Sequence, residues 1–126
     1  MGDSLVADWR PESHHEAWKG YVNGGVIAVL FDCHSNWAAT YNLMLRKGLT
    51  APPGTVTAEY CVTHHSPTPS NTTLHLVAKV TDLSENKAIV ETTLEADGKI
   101  TASFKGTFVA VRENHPAFWR WRSPDI

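Results

Sequence analysis

Asp32 is the residue around which a reaction could be built. It stands in a strongly apolar segment, Val26-Ile27-Ala28-Val29-Leu30-Phe31-Asp32, seven residues after Gly25 of the start Asn23-Gly24-Gly25. A glycine pair just ahead of a helix lets backbone N–H groups approach a ligand closely, where the helix dipole favours negative charge. A carboxylate in an apolar helix costs free energy unless a partner or a task holds it there. An oxyanion-binding helix start and a carboxylate able to activate water are the two parts needed to hydrolyse an acyl bond. Each residue also has a plainer reading. Asp32 could pair with Arg10, Lys19 or Arg46, and the glycines could serve close helix–strand packing. Asn23 could be an ordinary N-cap, which would also fix the direction of the Gly24 N–H.

The helical period puts Gly25, Ala28, Asp32, Ser35, Asn36 and Ala39 on one face. These are small or polar residues, which leave room for a ligand or a partner backbone, so Ser35 and Asn36 join Gly25 as candidate substrate contacts. His15 lies in a loop that could fold over the site, or it is a packing histidine. The adjacent pairs His14-His15 and His64-His65 would point to opposite faces if extended, and no histidine spacing forms a metal site.

Composition narrows the classes. The chain has 126 residues, 42% hydrophobic and 19% charged, which fits one ordinary globular domain spanning 1–126. A formal net charge of −2 without like-charge blocks gives nucleic-acid binding little electrostatic support. The apolar run is too short to span a bilayer, and Met1-Gly2-Asp3 does not begin a secretory signal, so a cytoplasmic protein is expected. Cys33 and Cys61 could pair in principle, but buried free thiols are the expectation because Cys33 falls within the helix pattern.

The elements that must position these residues are legible from period. Leu5 to Trp9 reads as a short strand and Pro11 to Val22 as a loop. A helix follows from about Gly24 to Lys47, closed by Arg46 and Lys47, by Gly48 at the left-handed C′ position and by Pro52-Pro53. It is apolar around most of its circumference, as if a sheet wrapped it. Beyond Gly54 the period becomes two. Val56, Ala58, Tyr60 and Val62 are expected to face the helix, with Thr57 among the residues turned away. Three more alternating segments follow, through Leu74, Ala88 and Ile100, with a hairpin turn at Asp97-Gly98. One long helix with an antiparallel sheet able to cover it is an α+β arrangement. The aromatic tail Phe118-Trp119-Arg120-Trp121-Arg122 is expected to pack on the sheet or on a neighbouring subunit.

With that order in place, the chain resembles the hotdog-fold acyl-CoA thioesterases, in particular the PaaI-like branch of the phenylacetate pathway. The resemblance is carried by His15, Gly20, Asn23-Gly24-Gly25 and Asp32 at matching spacings, by Thr55-Val56-Thr57-Ala58-Glu59-Tyr60 with the exit Ser66-Pro67-Thr68-Pro69, and by Gly98 to Val111. It implies a hotdog fold and acyl-CoA hydrolysis. Asp32 would be the catalytic acid, Gly24 the oxyanion donor aided by Asn23 or His15, and Thr57 a hydroxyl that helps hold the water. Thr57 could equally be an ordinary strand threonine. No cofactor is implied, coenzyme A being a portion of the substrate. Two departures stand out: the motif histidine before the glycine pair is Asn23, and the amide-bearing residue some relatives place six positions earlier is Ala17.

Spacing also bears on assembly. Gly25 and Asp32 stand about 10 Å apart along one helix. A single carbonyl cannot meet both, since attack needs the reacting atoms within about 3–3.5 Å. Two antiparallel helices related by a two-fold axis remove the gap, and the resemblance implies the same homodimer, often doubled into a tetramer. Two rivals to hydrolysis are a hotdog hydratase or dehydratase, which lacks its usual Asp-x-x-x-x-His signature here, and a non-catalytic acyl-CoA-binding protein, which Asn23 favours.

Overall fold

The computed structural model describes residues 4–119. Its order is β1 (Leu5–Trp9), a 3-10 turn (Ser13–His15), β2 (Glu16–Trp18), β3 (Tyr21–Val22), α1 (Gly24–Lys47), β4 (Thr55–His64), β5 (Leu74–Leu83), β6 (Lys87–Ala96), β7 (Lys99–Ala110) and a 3-10 turn (Pro116–Trp119). The main sheet is five-stranded and antiparallel in the order β1-β5-β6-β7-β4. β1 and β4 are therefore its edges.

The helix has the expected bounds. The Asn23 side chain accepts a hydrogen bond from the Gly25 N–H, and Gly48 at φ 65° turns its N–H back to the Met44 and Leu45 carbonyls. The helix lies on one face of the sheet. Ile27, Phe31, Ala38, Ala39 and Leu43 pack against Leu74, Leu76, Ala78, Val90, Leu94, Phe104 and Phe108. Burying a side chain such as Phe31 or Leu43 is worth about 1.5–3 kcal/mol, so this seam outweighs the helix's own propensity. Phe104 stacks on Phe31 and on Tyr60, with ring centroids 5.4 and 5.5 Å apart. Gly106 makes room for that ring, since a Cβ there would fall 2.7 Å from it.

Four expectations are corrected. The helix is not buried around its whole circumference: Val29, Trp37, Tyr41 and Leu45 turn away from the sheet and are exposed. Cys33 shares that outer stripe and Cys61 lies near the sheet's free edge. Both thiols are free, as expected, but exposed rather than buried. The segment from Pro11 to Val22 is more than a loop: β2 and β3 form a small hairpin, anchored by hydrogen bonds from the Gly20 N–H and the Ser70 hydroxyl to Glu16. Finally, a bulge between Thr57 and Glu59 shifts the register of β4 against β7. Thr55 and Thr57 face the helix before it, Tyr60 and Val62 after it, and Val56 and Ala58 do not. One extra residue reverses the face of everything on one side of it, which strict alternation cannot anticipate.

The Pro116–Trp119 turn packs at β4, its Ala117 carbonyl close against Gly54. Residues 120–122 of the aromatic tail lie outside the described residues.

Candidate functional site

β4 runs antiparallel to the helix along one flank, and the contacts between them step in order. The Thr40 hydroxyl bonds the Pro53 carbonyl, Asn36 bonds Thr55, Asp32 bonds Thr57, and the helix start at Gly24 lies against His64. The bulge belongs to this arrangement, because it turns Thr57 toward the helix.

Asp32 is half-buried and accepts a hydrogen bond from Thr57 Oγ1 to Oδ1 at 2.7 Å. Arg10 instead reaches the Asn71 carbonyl, and no salt bridge to Asp32 forms among the described residues. The ion-pair reading therefore has no support there. A carboxylate fixed by one hydroxyl, with its other oxygen accepting nothing from the described residues, is placed to take a proton from water.

The helix start divides its N–H groups. The Gly25 N–H is taken by the Asn23 side chain at 2.7 Å. The Gly24 N–H, at the first helical position, has no acceptor among the described residues and keeps its charge-binding capacity. Asn23 thus acts as the cap, and Gly24 is the open donor.

The other candidates are spread out. Ser35 is fully buried, its hydroxyl bonded to Thr92 at 2.6 Å, and Asn36 is buried with its amide bonded to Thr55. Both look into the sheet, beneath Asp32. The His15 ring accepts from the Glu12 N–H and packs edge-on against Trp9, while the His15 carbonyl accepts from the Asn23 N–H. It braces the approach to the helix through its backbone. His34, on the opposite flank, bonds the Leu5 carbonyl of β1 at 2.8 Å. No group of metal-ligating side chains gathers among the described residues.

Beside Gly24 opens a groove of about 500 Å³, lined by Trp18, Val22, Ile27, His64 and Ser66 among others. His64 did not figure among the candidates. Its signal was the alternation Tyr60, Val62, His64, which puts it on the helix-facing side of β4; what sequence lacks is that this strand end meets the helix start.

No protein-family model matches the sequence, nor does any curated protein. Solved structures do. A thioesterase superfamily protein from Shewanella loihica PV-4 superposes with a TM-score of 0.74 at 29% identity, over 88% of this chain and 86% of that one. The Escherichia coli PaaI protein from the phenylacetic acid degradation operon gives 0.74 at 14% identity, over 86% and 73%. This is the hotdog fold. A third neighbour, from Streptococcus mutans UA159, was solved bound to acetyl CoA and gives 0.72 at 14% identity, over 86% and 81%. The likeness of fold thus extends to proteins described as thioesterases and to one holding an acyl-CoA. Among the described residues, no helix is long and apolar enough to cross a membrane.

Proposed function

We propose that the protein is a PaaI-like acyl-CoA thioesterase that hydrolyses an acyl-CoA to the free acid and coenzyme A. The observation that carries this reading is the pairing, on one helix, of an open Gly24 N–H at the start with a hydroxyl-held carboxylate, Asp32, two turns on. The thioester carbonyl accepts from the Gly24 N–H, and the developing oxyanion draws more from that bond than the ground state does. Asp32 takes a proton from the attacking water, or attacks the carbonyl itself to give an anhydride that water then opens. In both routes the CoA thiolate leaves and the acyl group departs as a carboxylic acid.

The site is shared between two subunits. β4 is a ten-residue edge strand with one side unpaired by any other strand of the main sheet, a surface suited to a second copy. Antiparallel pairing of β4 with its twin about the strand's middle brings the Thr57 end of one copy toward the His64 end of the other. The partner subunit's Asp32 then approaches the Gly24 groove. Neighbours described as thioesterases, and one solved with acetyl CoA, support the acyl-CoA reading.

Asn23 in place of a histidine favours the second reading, an acyl-CoA-binding protein without turnover. A panel of acyl-CoAs read by free-thiol release separates them. Turnover on at least one thioester is expected, whereas saturable binding with no thiol released would establish the binder.

A further inference from the structure

The groove beside the helix start holds two polar groups that this mechanism leaves unused. The first is the His64 imidazole. Its Nε2 lies 3.4 Å from where a Gly24 Cβ would be, and its Cε1 at 3.5 Å, so the ring edge lies beside Gly24, the residue with the open N–H. Neither ring nitrogen has a hydrogen-bond partner among the described residues. The second is the hydroxyl of Ser66, a residue that lines the same groove; its oxygen is buried and has no partner among the described residues. An unpartnered buried hydroxyl costs free energy unless a ligand or water completes it.

Both groups are held by backbone. The His65 and Ser66 N–H groups donate to the Thr101 carbonyl at 2.8 and 3.2 Å. The His65 ring is tied to Ser103 at 2.9 Å. His64 ends β4 with its ring against Gly24, while the tie to Ser103 holds the neighbouring His65 ring elsewhere. Besides His65 and Thr68, whose side chains are bonded to Ser103 and Thr101, the rest of the groove is apolar, through Trp18, Val22, Ile27 and Pro67. Its shape is that of an acyl site with its polar end at Gly24 and His64.

We propose that His64 is a catalytic residue, donating a hydrogen bond from Nε2 to the acyl carbonyl seated on the Gly24 N–H, while the acyl chain fills the groove. This rests on the thioesterase reading above. It restores an imidazole to the helix start from a different element, β4, where position 23 provides an asparagine. No bond to His64 forms or breaks. The ring contributes a donor that both neutral imidazole with its proton on Nε2 and imidazolium possess.

The test uses the full chain. His64→Ala should lower kcat by at least about tenfold, less than the about 10²–10³ that loss of a principal oxyanion donor costs, while KM changes less. His64→Gln, which keeps an N–H donor, should recover most of that loss. Unchanged kcat in His64→Ala, with wild type active, overturns the role of His64 and leaves the thioesterase reading standing. A second readout does not need turnover. S-(2-oxopropyl)-CoA carries a ketone where hydrolysis cannot occur. Its addition should move the His64 Cε1–H NMR resonance, assigned by its absence in His64→Gln, and coenzyme A alone should not. If no acyl-CoA is hydrolysed but this shift appears, the reaction fails and the carbonyl contact stands. Failure of the ketone to bind, or binding without the shift, overturns the contact itself.

Discussion

Asp32 and Thr57 are twenty-five residues apart in sequence and 2.7 Å apart at their oxygens. The hydroxyl both offsets the cost of a half-buried carboxylate and sets its rotamer. Two substitutions divide those roles. Asp32→Asn keeps the shape and removes the base, so turnover should fall at least a hundredfold with the thermal midpoint little changed; a positioned general base is worth about 10²–10⁴ in rate. Near-normal turnover in that variant would remove Asp32 from the mechanism. Thr57→Val keeps the volume and removes only the donor, so Asp32 remains but is less well held. A loss of about tenfold in kcat and of about 1 kcal/mol in stability is expected, read by steady-state kinetics and denaturant unfolding. Ser35 and Asn36 should behave differently. Their polar atoms are buried against Thr92 and Thr55, so their removal acts first on stability.

At the scale of elements, the helix start and the β2–β3 hairpin can be tested independently. Gly24 has no left-handed φ, and an added Cβ would meet the His64 ring at 3.4 Å, an ordinary contact. Gly24→Ala should therefore fold with wild-type stability or slightly better, since alanine restricts the unfolded chain. The same methyl would stand at the open N–H, so kcat should fall by about a hundredfold, as for other losses of one oxyanion donor. Unfolding of the variant, with full activity in whatever remains folded, would make this glycine structural. The hairpin depends on Glu16, whose pKa is lowered by the Ser70 hydroxyl, then by the Gly20 N–H, with Lys19 contributing and burial opposing. A carboxyl held below its ordinary value stabilises the fold above about pH 4.5, and that contribution is lost as pH falls through the lower, folded value. Glu16→Gln should thus be less stable than wild type at neutral pH, with the gap closing below pH 4.5. A gap that is constant with pH would show that the charge contributes nothing.

For the whole molecule the decisive property is that one chain holds the Gly24 N–H and the Asp32 acid on one helix, about 12 Å apart. Activity should require at least a dimer, which mixing two inactive variants tests. Asp32→Asn subunits retain Gly24, and Gly24→Ala subunits retain Asp32. In a mixed dimer one interface joins both intact halves and the other both damaged halves. Co-refolding should recover up to about a quarter of wild-type activity, assuming random pairing, independent sites and isologous two-fold contact. Subunit exchange shown by mass, with no recovery of activity, would place each site within a single chain.

Much of this was legible in the residues. Local chemistry fixed the helix bounds through Asn23 and Gly48, the hairpin at Asp97-Gly98 and the strand faces through β5, β6 and, from Ala102 on, β7, because capping, left-handed turns and period-two burial depend on neighbours along the chain; at the start of β7 a register shift instead leaves Ile100 exposed and Thr101 buried. The resemblance carried by the spacing of Gly25 to Asp32 and by the order of elements implied the hotdog fold. Tertiary structure alone decided what lies across from what. The bulge after Thr57 shifts the pairing of β4 by one residue and so delivers Thr57 to Asp32. Packing of the helix on one face of the sheet leaves Cys33 and Trp37 outside while Ser35 and Asn36 look in. The antiparallel run of β4 along the helix brings His64 to Gly24, forty residues away in sequence. Those contacts depend on register and crossing geometry, which are set by the sum of many packing interactions and are written in no short stretch of sequence.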